Sequence, residues 1–267
     1  MPEPSGHELR RQPPDGPVAL VARTDAVLRR VTRYPDGTVD LGDGQPPVSL
    51  TADELRRSAA LRSDADRDDH MAAHVLVRAA VRVLLPGRAP MTVEQWCTGC
   101  GGRGHGRPSV AEEPDLHVSL AHCRGAVTAA AGWSPVGVDV EPVAARRTPD
   151  EALLKATLSP RERRVVERHA DPVAAFLRLW VRKEALIKVG ALTLDRLTDA
   201  DLSALPSQPG PSSPGCRPLS ASGGRWAGWT FTDWWDGTFL GSAVASGEVS
   251  VAGWPRDDRC EQRLTDA

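Results

Sequence analysis

The sequence predicts a chain of mixed strands and helices, and three stretches carry that prediction. Phe176 to Gly190 is built from strong helix formers with no internal Pro or Gly, and Gly190 is placed to stop it. Val136 to Pro142 alternates with period two, so Val136, Val138 and Val140 share one face and Asp139 and Glu141 the other. Trp226 to Ala245 alternates too, is rich in Trp, and carries Asp236-Gly237 as a hairpin turn.

The remaining elements follow in chain order. Residues 1–17 hold five prolines among charges and read as a disordered N-terminus. Val18 to Arg23 and Val39 to Leu41 read as short strands, with Pro35-Asp36-Gly37 turning between them. Thr51 and Glu54 form a capping box that opens helical sequence running to about Leu85, where Pro86-Gly87 ends it. The Asp and Arg residues early in that helix read as a solvated face. Leu116 to Trp133 reads as strand, turn and strand, broken at Ala121 to Gly125. Ser159 and Glu162 make a second capping box, with Pro160 at the first helical position. Leu192 to Leu205 is short and amphipathic. Residues 206–224 hold five prolines among Ser and Gly and read as a flexible insertion, and residues 255–267 as a polar tail.

At 267 residues the chain can bury a large core. A net charge of −2 gives no basic signature for nucleic acid. No apolar run spans a membrane, and the N-terminal stretch has no apolar signal core. Five cysteines in no disulfide-like framework fit a reduced, cytoplasmic protein. Lysine is scarce: Lys155, Lys183 and Lys188 are the three in the chain, and two of them fall in the 176–190 helix.

Two clusters bear chemistry. Asp139 and Glu141 stand about 6–7 Å apart along one strand face, where like charges repel unless a cation sits between them. Oxygen-only ligands favour Mg²⁺ or Mn²⁺ over zinc. Phe176, Trp180, Glu184 and Lys188 recur every four residues along one helix face, so an acid and an amine share a stripe with two aromatics. Elsewhere, Cys97, Cys100 and His105 lie in a glycine-rich loop with zinc-compatible spacing, for which Cys123 or His122 could supply a fourth ligand. His122, at a turn, could hold an anion.

Three pieces occur in order: Ala121-His122-Cys123 after a strand, Gly137 to Glu141, and Trp180-Val-Arg-Lys-Glu-Ala-Leu-Ile-Lys188. The combination resembles the Sfp-type 4′-phosphopantetheinyl transferases. The resemblance implies the fold of that family, α+β, with two similar lobes related by a pseudo-twofold axis, here 18–135 and 136–254. It implies coenzyme A as co-substrate, bound between the lobes, and transfer of its phosphopantetheine arm to a serine of an apo acyl or peptidyl carrier protein, releasing 3′,5′-ADP. Asp139, Glu141 and Glu184 become ligands of Mg²⁺, or of Mn²⁺ in its place. Lys188 becomes a phosphate contact, Glu162 or a metal-bound water the base for the serine, and His122 a contact to the 3′-phosphate. Trp180 is expected to pack, and Lys183 to orient a neighbour or face solvent. Carriers of fatty-acid, polyketide or nonribosomal-peptide synthesis are the expected partners, and the family usually works as a monomer.

Three departures from the family pattern bear on the nucleotide grip. Ala121 replaces a serine, Arg107 replaces a lysine while keeping its charge, and Asp69 stands where an Arg is usual. Arg67, Arg62 or Arg57 is expected to hold the phosphate in its place. The sequence also fits two rival functions. One is a Mg²⁺-dependent pyrophosphate or phosphodiester hydrolase. The other is a zinc-stabilised binding module centred on residues 97–123.

Overall fold

A computed structural model describes residues 14–88, 91–97, 99–143, 149–206 and 219–254. The expected disorder of residues 1–13, the insertion at 207–218 and the tail at 255–267 lie outside the described residues. The elements in order are β1 (Val18–Arg23), α1 (Thr24–Arg30), β2 (Thr32–Arg33), β3 (Thr38–Asp40), β4 (Val48–Ser49), α2 (Ala52–Ala60), α3 (Asp64–Leu84), β5 (Val93–Trp96), β6 (Arg107–Val110), β7 (Glu113–Cys123) and β8 (Ala126–Gly132). There follow β9 (Val136–Pro142), α4 (Glu151–Thr157), α5 (Pro160–Arg168), α6 (Pro172–Val189), β10 (Leu219–Trp226), β11 (Trp229–Trp235), β12 (Phe239–Ala245) and β13 (Ser250–Gly253). This is a mixed α+β chain. No described helix is long and apolar enough to cross a membrane.

The first large sheet has the order β13-β1-β8-β7-β6-β5, and the second β10-β11-β12-β9. Period-two alternation in β8 sends Val127, Ala129 and Ala131 into a core with α3, and Ala126 and Ala130 toward the second sheet. There they meet Val136, Val138 and Val140 of β9 and Trp234 of β11, small alanines letting the two sheets approach. Ser119 Oγ accepts from the backbone N–H of Val138 at 3.1 Å, joining the sheets at their centre. The outer face of the second sheet packs on α6 through Phe231, Leu240 and Val244. The chain's last described strand, β13, pairs in parallel with β1, so residues 250–253 return to the first sheet. Residues 219–224, expected within the insertion, belong instead to β10, paired with β11.

The single helix expected from Thr51 to Leu85 is two. The capping box forms as read, but α2 ends at Leu61 in extended backbone. Ser63 then caps α3 by accepting from Asp66 N. The expected solvated face holds for the exposed Arg56, Arg57, Arg62 and Asp64 but not for Asp69. Asp69 is buried, as are His70, His74, Arg78 and Arg82 farther along. Each is satisfied from a distant element apart from His70. Asp69 accepts from Thr24 Oγ1 and from Gly125 N, and Arg82 forks onto Asp43 at 2.9 Å. Arg78, fully enclosed, donates to both oxygens of Glu54 at 3.0 and 2.7 Å and to the carbonyls of Ser49 and His74.

Burial alone would raise the Glu54 carboxyl. Hydrogen bonding from His74 and the charge of Arg78 outweigh it and hold the pKa at about 2, against an ordinary 4.5. A depressed carboxylate pKa gives stability that is full above 4.5 and lost as pH falls toward 2. In denaturant melts at a series of pH values, Glu54→Gln is therefore expected to show a shallower loss of stability across that window than wild type. Parallel curves would contradict the assignment.

Candidate active site

The site forms where α6 crosses β9. Glycine at 137 makes the crossing possible: a Cβ there would stand 2.2 Å from the carbonyl oxygen of Ala185 and 2.9 Å from Val189 N. Because Val136, Val138 and Val140 are committed to the inter-sheet core, Asp139 and Glu141 face α6. α6 starts with Asp171 capping Ala174 N and Pro172 at the first turn, and ends with Gly190 at φ 83°, the left-handed cap that its sequence predicts.

Lys188 Nζ meets Asp139 Oδ1 at 2.7 Å. The other oxygen of Asp139, Oδ2, is buried with no hydrogen-bond partner. Burial raises the Asp139 pKa most, Lys188 lowers it, and the neighbouring charges of Glu141 and Glu184 raise it again, to about 6. Three carboxylates thus press on one another, and Lys188 answers Asp139. Glu141 Oε1 accepts from Trp180 Nε1 at 3.0 Å. Trp180, expected only to pack, also orients a carboxylate. An unpartnered buried oxygen in an all-oxygen acidic set is the chemistry that a hard divalent cation satisfies, so the residues fit such an ion.

Beside this acidic corner opens a cavity of about 290 Å³, whose lining includes Asp139, Lys188, His122, Arg57, His70 and His74. His105 also lines it, so four of the chain's seven histidines meet in one cavity of a chain whose net charge is −2. The rings of His70 and His74 lie 4.3 Å apart and those of His70 and His122 6.3 Å apart. His70 is buried, and neither of its ring nitrogens has a hydrogen-bond partner. Its withdrawal from water and the cations around it push its pKa down to about 4. His122, similarly desolvated, is also lowered despite the nearby Asp69 carboxylate. Neutral imidazole donors with Arg57 and Lys188 make a pocket suited to an anion.

The structure brings Asp139, Glu141, Glu184, Lys188 and His122 to this corner and places three other expected residues elsewhere. Glu162, expected as a base, is fully buried. Its Oε2 takes Lys183 Nζ and Ser159 N, both at 2.7 Å, and its Oε1 takes Leu202 N at 2.9 Å. With both oxygens engaged and no exposure, it cannot reach a substrate hydroxyl; the capping-box reading accounts for it. Lys183 does not face solvent: fully buried, it also donates to the carbonyls of Thr157 and Leu197. Arg67 is turned onto Leu61 O and Asp64, away from the cavity, and of the three candidate arginines Arg57 is the one that lines it. Arg107 donates to Lys188 O at 3.0 Å, bracing the C-terminal end of α6.

His70 and His74 were missed by reading the sequence. Their signal was an i,i+4 histidine pair on α3, obscured by the aspartates and arginines around it.

No curated protein matches the chain. Residues 135–215, the segment that carries Asp139, Glu141, Glu162, Glu184 and Lys188, match the family model of the 4′-phosphopantetheinyl transferase superfamily.

Proposed function

We propose that this protein transfers the 4′-phosphopantetheine arm of coenzyme A to a serine of an apo carrier protein and releases 3′,5′-ADP. The observation that carries the reading is the junction of acidic corner and cationic cavity: Asp139 and Lys188 belong to both. The superfamily match over the same residues supports it. In this reading residues 18–135, with the returning strand 250–253, form one lobe and residues 136–249 the other, the two being similar and related by a pseudo-twofold axis. The protein acts as a cytoplasmic monomer on carriers of fatty-acid, polyketide or nonribosomal-peptide synthesis.

Asp139, Glu141 and Glu184 would hold Mg²⁺, with Mn²⁺ able to replace it. The ion supplies charge to offset what develops on the leaving phosphate. Lys188 holds a pyrophosphate oxygen as a second positive charge. His122, His70, His74 and Arg57 grip the nucleotide's phosphate in the cavity. The serine oxygen attacks the phosphorus that bears the pantetheine arm, the bond from that phosphorus to 3′,5′-ADP breaks, and the nucleotide leaves with the bonding electrons. With Glu162 enclosed, the serine proton passes to water in the cleft.

Transfer is separated from hydrolysis by the dependence of 3′,5′-ADP release on carrier. Release is expected when apo carrier is present and absent without it; release independent of carrier would favour the hydrolase reading. Trp180→Phe keeps an aromatic ring and removes the N–H that orients Glu141. Loss of such a partner to a metal-binding carboxylate typically weakens metal affinity about 10–100-fold. The Mg²⁺ concentration for half-maximal transfer is expected to rise accordingly in titrations of the variant. An unchanged Mg²⁺ requirement would show that Trp180 only packs.

A further inference from the structure

The glycine-rich loop between β5 and β6 takes no part in the chemistry above. Its Cys97, Cys100 and His105 nevertheless bring one donor atom each to within 4.8 Å of one another. In a tetrahedral zinc site, bond lengths of about 2.3 Å to sulfur and 2.0–2.1 Å to nitrogen separate donor atoms by roughly 3.5–3.8 Å, well inside that span. We propose that Cys97, Cys100 and His105 form a zinc site that pins the loop against the cavity wall, with solvent as the fourth ligand.

The backbone is folded around the three donors. Cys97 O accepts from Gly101 N at 2.8 Å, and Cys97 N donates to Gly102 O at 2.9 Å, closing a tight knuckle. Gly102 N points at Cys100 Sγ at 3.4 Å. The N–H groups of Cys100 and Gly99 are directed at the Cys97 sulfur. His105 Nδ1 faces Arg103 O at 3.3 Å, and Nε2 lies 3.0 Å from Cys100 Sγ. An Nδ1–H bonded to a carbonyl fixes the tautomer whose Nε2 lone pair is free to ligate, the usual outer support of a metal-bound histidine. A Cβ at Gly102 would stand 2.7 Å from His105 Cε1 and 3.1 Å from Cys100 Sγ, so glycine is what lets ring and thiol close. Both cysteines are free thiols. Soft sulfur and imidazole donors select zinc over Mg²⁺, which distinguishes this site from the carboxylate corner.

The loop also touches what it supports. Arg57 Nη1 donates to Gly104 O, and His105 and Gly106 line the cavity together with Arg57.

The test is zinc content per chain by elemental analysis, on protein expressed with added zinc, kept reduced and desalted over a weak chelator. About one zinc per chain is expected for wild type and for Glu184→Gln, with near-complete loss in Cys97→Ser, Cys100→Ser and His105→Ala. Circular dichroism on the same samples reports their folding. Should a variant unfold, cobalt loading of the wild type decides instead: thiolate-to-cobalt charge-transfer absorption is expected, and its absence overturns the site. Wild type holding no more zinc than the Cys97→Ser/Cys100→Ser double variant would overturn the proposal. So would zinc that is lost with Glu184→Gln and kept by the double variant.

Discussion

Replacing Lys183 with Met is expected to destabilise the folded chain by about 3–5 kcal/mol, because it strands the carboxylate of Glu162 in the interior. Lys183 and Glu162 are both fully buried, and their 2.7 Å pair ties α6 to the start of α5. Burial lowers the lysine pKa, and Glu162 beside it works in the opposite direction. Lys183 also donates to the carbonyls of Thr157 and Leu197, and Glu162 accepts from Ser159 N and Leu202 N. Removing either ion alone leaves several groups unmatched. Replacing both, as Lys183→Met with Glu162→Leu, is expected to recover much of the loss, since a buried pair gains little net energy over an apolar one. Urea unfolding of the single and double variants measures this. A Lys183→Met variant within about 1 kcal/mol of wild type would show that the pair is not closed as described.

Asp139→Asn is expected to abolish transfer, lowering kcat/KM by about 10³-fold or more, with little change in stability. Asp139 Oδ2 has no partner to lose, and the ion pair at Oδ1 involves a Lys188 that is 26% exposed. The carboxylate's unfavourable burial, which raises its pKa to about 6, is relieved in the neutral amide. A side chain that costs stability in place and is indispensable to turnover belongs to a site rather than to the fold. Steady-state kinetics beside a thermal melt makes the comparison. A variant that turns over normally, or one whose melting temperature falls far below wild type, would reverse the assignment.

The elements that the sequence made legible are those whose signals are local. The capping boxes of Thr51/Glu54 and Ser159/Glu162 form as read, and so does the left-handed stop at Gly190. The period-two face of β9 puts Asp139 and Glu141 toward α6 because the valines have only one apolar core to enter. What escaped reading depends on partners far along the chain. Arg78 is at home in the interior because Glu54 lies 24 residues away on another helix, and nothing near Arg78 in sequence reveals it. The same holds for Asp69, held by Thr24 from 45 residues earlier. α1 was missed because Thr24–Arg30 is short and its N-cap, Arg23, makes no side-chain cap. Glu162 shows a local reading and a family resemblance disagreeing. The capping box described its surroundings correctly, while the base role failed on burial that no short window of sequence reports.

Transfer itself is read by intact mass spectrometry of an apo carrier protein incubated with this protein, coenzyme A and Mg²⁺, with and without EDTA. A gain of one phosphopantetheine is expected that depends on Mg²⁺, is abolished by EDTA and is lost in Asp139→Asn. No gain on fatty-acid, polyketide and nonribosomal-peptide carriers alike, from protein shown to be folded, would contradict it.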